Sequence, residues 1–188
     1  PVSQDLYVGT AQSIYKSADN GETWDPIFLE FPGNGAQIRT LAVSGDTLWV
    51  GTTLGLLYFY GNDFVRVYHD VSNMTGKLIT DVEVKGKTII ASTMGDGLFR
   101  TTNGGTSWAS FNNGLPAGYE VYGIDFSASP ALVFGIQGMF SSTDKGATWQ
   151  SFTNGMSTAQ VTSVARAGSD MYADRKSTRL NSSHTIQS

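Results

Sequence analysis

A pattern of eight residues that occurs three times constrains this chain more than any other feature. It reads SADNGETW at 17–24, TTNGGTSW at 101–108 and STDKGATW at 142–149. Each copy has a hydroxyl residue, Asp or Asn two positions later, Gly two positions after that, Ser or Thr after two more, and a final Trp. A pattern that returns in this way predicts a repeated structural unit, and we refer to it as the turn motif.

The residue types of the turn motif suit a tight hairpin turn. An Asp or Asn side chain accepts hydrogen bonds from the backbone N–H groups that follow it, and Gly adopts a positive φ at no steric cost. The final Trp is expected to start the next strand and to bury its ring in the core. Because the second copy has Asn103, whose amide cannot act as a general acid, we interpret the motif as structural rather than catalytic. Its structural positions are Ser17, Asp19, Gly21, Trp24, Thr101, Asn103, Gly105, Trp108, Ser142, Asp144, Gly146 and Trp149.

A longer repeat surrounds the motif and predicts the fold. Segments that resemble second strands end at Thr10, Thr52, Thr93 and Ile136, so they are spaced by 42, 41 and 43 residues. Each unit contains four strand-like segments, and apolar residues alternate with others along them, as in half-buried strands. A four-stranded unit that repeats at this period is typical of a propeller blade. We therefore predict an all-β fold, a β-propeller fragment built from four-stranded antiparallel blades.

The repeat divides residues 1–173 into five blades of a partial propeller. The middle three are expected to be complete, the first lacks its inner strand, and the last ends after its second strand. The remaining blades are expected to belong to a longer parent chain. The predicted blades lie at 1–28, 38–69, 79–111, 121–152 and 161–173.

Residues 174–188 are interpreted as a non-native tail. The run DRKSTRLNSSH at 174–184 is what one reading frame of a common sequencing-library adapter encodes. We therefore exclude the tail from the fold and expect it to be disordered. The whole chain has a net charge of -4, and without the tail 9 Lys and Arg against 15 Asp and Glu give -6.

Composition excludes several classes of site and partner. The absence of Cys excludes disulfides, thiolate metal sites and Cys nucleophiles. His69 is the only histidine outside the tail, so neither a His-dependent triad nor a multi-histidine metal site is expected, and we predict no metal and no cofactor. The acidic charge argues against nucleic acid and anionic membranes as partners. No apolar run approaches the roughly 18 residues of a membrane span.

The three motifs resemble the Asp-box (BNR) repeats of sialidases, sortilin-type receptors, xyloglucan-degrading glycosidases and photosystem II assembly factor propellers. The second unit, IRTLAVSGDTLWVGTTLGLLYF at 38–59, is similar to the sensor propellers of two-component regulators. The resemblance implies a propeller fold, a bacterial and exported parent protein, and an extracellular or periplasmic location. It implies no single function, because one propeller scaffold serves hydrolases, receptors and assembly factors.

Strand direction predicts where a ligand would bind. In an antiparallel meander, the links between blades and the turns from second to third strands share one rim. The turn motifs lie on the opposite rim, which we call the motif rim. Ligand sites in propellers usually line the opening of the central channel on the first rim. We assign no catalytic residue, and the candidate ligand-binding residues are Arg39, Asp70, Asp96, Tyr119, Glu120 and Arg166.

A hydrolase would need a different set of residues. The sialidase resemblance implies an arginine cluster, and Arg39 and Arg166 fall on inner strands, whereas Arg66 and Arg100 belong to outer ones. The xyloglucanase type uses two facing carboxylates, which Asp70, Asp96 and Glu120 could supply.

Three functions follow from these observations. The leading prediction is a non-catalytic fragment that binds a protein or a glycan. The first alternative is a fragment of a glycoside hydrolase, of the sialidase or xyloglucanase type, whose catalytic residues lie largely in blades outside this sequence. The second alternative is the sensor domain of a two-component regulator.

Overall fold

The computed structural model describes residues 5–27, 35–60, 69–70, 72–153, 155–156, 160–168, 170–175 and 184–186. Their regular secondary structure is almost entirely β-strand, with one short 3-10 turn at Ser72–Met74. The strands are β1 (Leu6–Gly9), β2 (Ile14–Ser17), β3 (Asp25–Ile27), β4 (Ile38–Ser44), β5 (Thr47–Thr52), β6 (Gly55–Tyr60), β7 (His69–Asp70), β8 (Ile79–Lys85), β9 (Thr88–Thr93), β10 (Leu98–Thr101), β11 (Ala109–Ser110), β12 (Val121–Asp125), β13 (Ala131–Gly135), β14 (Gly138–Ser142), β15 (Gln150–Ser151), β16 (Val161–Ala167), β17 (Asp170–Arg175) and β18 (His184–Ile186).

The strands form five sheets, and each sheet is an antiparallel meander of consecutive strands. The inner strands β4, β8, β12 and β16 of neighbouring sheets lie next to one another, so the sheets stand side by side as blades. Blades 2, 3 and 4 have four strands each, which confirms the three predicted complete blades. Blade 1 consists of β1 to β3, blade 2 of β4 to β7, blade 3 of β8 to β11, blade 4 of β12 to β15 and blade 5 of β16 to β18.

The last blade differs from its prediction. The second strand was expected to end at residue 173 and the tail to be disordered, but β17 continues to Arg175 and β18 pairs with it as a third strand. An unpaired strand edge presents a row of N–H and C=O groups that any extended segment can pair with, and the segment at β18 does so here.

All four inner strands carry an irregularity at the same place. Their register with the second strand shifts after the first residue, between Ile38 and Thr40 in β4 and at the matching positions of β8, β12 and β16. A bulge bends a strand and changes the direction of the side chains that follow it. The same register shows that the second strand of blade 4 ends at Gly135, which pairs with Val121, and not at Ile136 as the sequence spacing suggested.

The hydrophobic core lies between the blades. The second strands β5, β9 and β13 are buried along almost their whole length because neighbouring blades cover both faces. Between blades 2 and 3 the packing includes Trp49, Ile79 and Val82. Between blades 3 and 4 it includes Phe111 and Trp149.

The Trp of the turn motif packs against the preceding blade. Trp108 lies edge-on to Trp49 of blade 2, with ring centroids 5.9 Å apart, and Trp149 lies 6.1 Å from Phe111 of blade 3. Trp149 is 3% exposed, but Trp24 is 38% exposed. The expectation of a buried ring is therefore wrong for Trp24, because no blade precedes blade 1 among the described residues.

Candidate functional site

Each turn motif is stabilised by the same set of hydrogen bonds between its own residues. In the first copy the Ser17 hydroxyl donates to Asp19 Oδ1 at 2.7 Å, and the Gly21 N–H donates to Ser17 Oγ at 2.8 Å. The Thr23 N–H donates to Asp19 Oδ1 at 2.9 Å. The second and third copies repeat these bonds with distances between 2.7 and 3.0 Å.

The motif carboxylates are used within their own turns. The side-chain hydroxyl and backbone N–H of Thr23, followed by the Ser17 hydroxyl, lower the pKa of Asp19 to about 2. The same donors in the third copy lower the pKa of Asp144 to about 2. Asn103 makes the equivalent bonds without a charge, so the turn does not require an ionised group.

Some of the candidate ligand-binding residues lie on the rim that the sequence predicts to bind ligand. Met94 and Glu120 form an antiparallel bridge that joins blades 3 and 4 on this rim. Asp96 lies two residues beyond Met94 and forms an ion pair with Lys77 at 3.0 Å. Arg39 is exposed at the bulge of β4. The side chain of Asp70 lies outside the described part of the structure.

Tyr119 is a core residue, in contrast to its predicted role. It is 1% exposed, its hydroxyl donates to the Gly138 carbonyl at 2.8 Å, and its ring lies edge-on to Phe140. Burial raises the pKa of Tyr119 above its ordinary value, so the phenol stays neutral. Its surface is therefore closed to a ligand in this arrangement.

Arg166 also lies away from the predicted rim. It is the sixth residue of the seven-residue β16, at the end of the strand that reaches the motif rim. There its guanidinium pairs with Asp125 and donates to the Pro130 carbonyl of blade 4. Although burial acts to raise the pKa of Asp125, hydrogen bonds from Arg166 and Ser127 hold it below the ordinary value.

A cleft lies between blades 3 and 4 on the motif rim, with a volume of about 550 Å³. Its walls combine charged side chains, hydroxyls and an apolar floor. The lining residues are Glu83, Lys85, Thr88, Ile90, Arg100, Thr102, Phe126, Ala128, Ser129, Ala131, Ser142, Thr143 and Lys145. Sequence reasoning did not identify this cleft.

Arg100 is fixed in position at the cleft. Its Nη1 donates to the Lys145 carbonyl at 3.1 Å, and its Cζ lies 4.8 Å from the centre of the Phe111 ring. A cation over an aromatic face is attracted by the ring quadrupole, which adds to the hydrogen bond. The guanidinium therefore has a defined orientation in the wall.

Two half-buried carboxylates, those of Asp81 and Glu83, link the inner strands beside the cleft. Glu83 Oε2 accepts a hydrogen bond from the Phe126 N–H at 2.7 Å, and Asp81 accepts one from the Ile124 N–H at 3.2 Å. Burial raises the pKa of both carboxyls, and the hydrogen bonds they accept act in the opposite direction. These contacts join blade 3 to blade 4 where the cleft begins.

Among the described residues, no group of three or more His, Cys, Asp or Glu side chains could hold a metal ion. In the same part of the chain, no helix combines the length and apolar character needed to cross a bilayer.

Comparison with known proteins establishes the fold. No protein-family model and no curated protein matches the sequence. The chain is similar to an ancestral GH74 enzyme, with 23% identity and a TM-score of 0.75 over 90% of this chain and 25% of the enzyme. It is also similar to YCF48 bound to D1 peptide, with 12% identity and a TM-score of 0.66 over 92% of this chain and 59% of YCF48.

A third similar structure is the extracellular domain of BT4673, a putative one component system of B. thetaiotaomicron. Identity is 19% and the TM-score is 0.70 over 90% of this chain and 23% of that chain. The chain therefore spans about a quarter of two of these structures and under two thirds of the other. Together the comparisons confirm that the fold is a fragment of a β-propeller.

Proposed function

We propose that this chain is part of an exported bacterial propeller protein that acts as a non-catalytic binding scaffold, with its ligand in the cleft between blades 3 and 4. The cleft itself carries the proposal, because pockets of roughly 300 to 1,000 Å³ with a few placed polar groups are typical of ligand sites. The motif carboxylates of Asp19 and Asp144 are not proposed as ligand-binding groups, because they accept hydrogen bonds within their own turns.

The similar structures support the wider setting of this proposal. YCF48 was solved with a bound peptide, and the BT4673 region is an extracellular domain. A protein or glycan ligand and an extracellular or periplasmic location are consistent with both. The sensor domain of a two-component regulator would be one form of such a scaffold.

A variant that fills the cleft tests the proposal. Ala128 is exposed at the cleft wall, so Ala128→Trp blocks the space without entering the core. Ala18→Trp is the matched control, because Ala18 is exposed in the first turn motif, away from the cleft. Both variants and the unmodified chain are screened against peptide and glycan arrays.

We expect a ligand that binds the unmodified chain and Ala18→Trp and is lost from Ala128→Trp. A ligand that binds Ala128→Trp equally well would place the site elsewhere. Failure of every array ligand to bind the folded chain would reject the scaffold function in this fragment.

One observation favours a second candidate, a fragment of a glycoside hydrolase. The bridge between Met94 and Glu120 brings the predicted carboxylates Asp96 and Glu120 to the same rim of adjacent blades. A pair of carboxylates is the usual equipment of such enzymes. Release of reducing ends from polysaccharides by the unmodified chain, abolished in Glu120→Gln, would favour hydrolysis over binding alone.

A further inference from the structure

The cleft between blades 3 and 4 is positively charged on a chain whose net charge is -4. Lys85, Arg100 and Lys145 line it, against the one carboxylate of Glu83. Cations that share a concave wall raise the local potential and attract anions. The cleft thus has the opposite sign to the chain as a whole.

Glu83 does not cancel this charge. Its Oε2 accepts the Phe126 N–H at 2.7 Å, so part of the carboxylate is committed to the contact between blades. Burial raises its pKa, and the hydrogen bond from the Phe126 N–H and, less strongly, the charge of Lys85 act in the other direction, so one carboxylate faces three cations. Arg100 and Lys145 lie on β10 and in the third turn motif, and the strongest positive potential is expected between them.

Arg100 is oriented to receive a planar anion. One of its N–H groups is used by the Lys145 carbonyl, and the Phe111 ring supports one face of the guanidinium. A guanidinium has five N–H donors in a rigid plane, so donors remain for a carboxylate. A side chain that is already fixed loses little freedom when a ligand binds.

The backbone of Lys145 provides a second, independent observation. Its φ is 60°, a left-handed conformation that is uncommon for a residue of this size. The equivalent residues in the other motifs are Asn20, with φ 60°, and Gly104, with φ 71°, and these types tolerate the conformation. Lys at this position is therefore less favourable for the backbone than Asn or Gly would be, and it places a cation at the cleft.

The rest of the lining matches a sugar. Hydroxyls of Thr88, Thr102, Ser129 and Thr143 can both donate and accept hydrogen bonds, as sugar hydroxyls do. Phe126 offers an apolar surface to the C–H face of a ring. Peptides are often bound instead at unpaired strand edges, and the cleft is bounded by turns and strands already paired in their sheets.

We propose that the cleft binds an acidic oligosaccharide, with the carboxylate of a uronic acid unit held between Arg100 and Lys145. The hydroxyl-bearing wall then contacts the neighbouring sugar ring. This inference rests on the proposed function, because it assigns a ligand class to the same cleft.

The experiment is a calorimetric titration of the full chain with trigalacturonate. Fully methyl-esterified trigalacturonate has the same rings without the charge, and triglutamate has the charge without the rings. We expect the acidic saccharide alone to bind, and its affinity to fall roughly tenfold between about 50 mM and about 500 mM NaCl as the charges are screened.

Charge-removing variants locate the site. We expect Arg100→Gln to weaken trigalacturonate binding about tenfold and Lys145→Asn about threefold, since each loses a charge-assisted contact. Lys145→Asn places in the third motif the residue found at Asn20, so the turn is retained. Lys87→Asn is the matched control, because Lys87 is exposed in the β8–β9 turn but does not line the cleft.

The outcomes distinguish a failure of the acidic-saccharide proposal from a failure of the proposed binding function. Equal binding of the esterified saccharide, or equal loss in Lys87→Asn and Lys145→Asn, would overturn the acidic ligand and leave a binding cleft. Preferential binding of triglutamate would overturn the saccharide. If none of the three probes binds the folded chain, the inference fails, and the array screen with Ala128→Trp then decides the proposed function separately.

Discussion

The interface between blades 2 and 3 and the interface between blades 3 and 4 both have a hydrophobic core, and they differ in the side chains that fill the space beside it. Between blades 2 and 3, Trp49 pairs across the strands with Tyr58 and packs against Trp108 of the next blade. Between blades 3 and 4, Ile90 and Arg100 pair at the same positions of the sheet. A smaller aliphatic side chain and a cation replace two aromatic rings, and the space they leave is the cleft.

The difference lies in side chains, since the backbones of the two interfaces match. The inner strands have the same bulge, and the two complete turn motifs that follow have the same hydrogen bonds. One cross-strand pair, Trp49 with Tyr58 in blade 2 and Ile90 with Arg100 in blade 3, therefore distinguishes the two interfaces.

Trp49→Ile places at the first interface the residue type found at Ile90 in the second, and it should lower the free energy of unfolding. Trp49 is 2% exposed, and a large-to-small change in a core typically costs about 3 to 5 kcal/mol when the ring is lost entirely, so we expect about 2 to 4 kcal/mol. Urea denaturation followed by far-UV circular dichroism measures the change. Ile90→Val is the control at the matching position and should cost only about 1 kcal/mol. Equal midpoints for the two variants would contradict the comparison.

Alanine substitution of a motif glycine should cost more stability in blade 4, whose turn motif packs against blade 3, than in blade 1. A Cβ at Gly146 would lie 2.3 Å from the Phe111 ring of the preceding blade, whereas one at Gly21 would meet nothing closer than 3.6 Å. Both have positive φ, so each Ala substitution costs about 1 kcal/mol in the backbone. We expect Gly146→Ala to cost about 1 to 2 kcal/mol more because of the clash. Thermal unfolding of both variants tests this, and a larger loss for Gly21→Ala would be evidence against it.

Asp144→Asn should make the stability contributed by the third turn motif independent of acidic pH, as expected for the second motif with Asn103. The folded pKa of Asp144 is about 2, below an unfolded value near 3.9, so its stabilising effect is complete above about pH 4 and is lost as the pH falls through 2. Asn cannot titrate, and Asn103 shows that it fits the turn. The urea midpoint should therefore fall less between pH 4 and pH 2 in the variant than in the unmodified chain. Parallel pH profiles would show that the carboxylate contributes nothing.

The repeat and the strand pattern predicted the blades because both are local properties of the sequence. The residues of the cleft were missed because the space depends on which side chains meet across blades. Ile90 and Lys145, for example, are far apart in sequence and line the same cleft. A signal was present, since Lys145 stands where the other motifs have Asn20 and Gly104. Arg166 was misplaced because its position near the end of β16 brings it to the motif rim.

Lys145→Asn should have the smallest effect on stability and the opposite sign. Asn adopts a left-handed conformation more readily than Lys, so we expect the variant to be more stable by about 0.5 kcal/mol. The equivalent change at Lys87, an exposed turn lysine without a positive φ, should change stability little, because its backbone gains no relief from Asn. Thermal unfolding at low and high salt separates the backbone effect from the charge effect, since only the latter is screened. A gain in stability that accompanies a loss of anion binding would show that Lys145 contributes to binding and not to the stability of the turn, whereas a loss of stability would show that its side chain supports the turn.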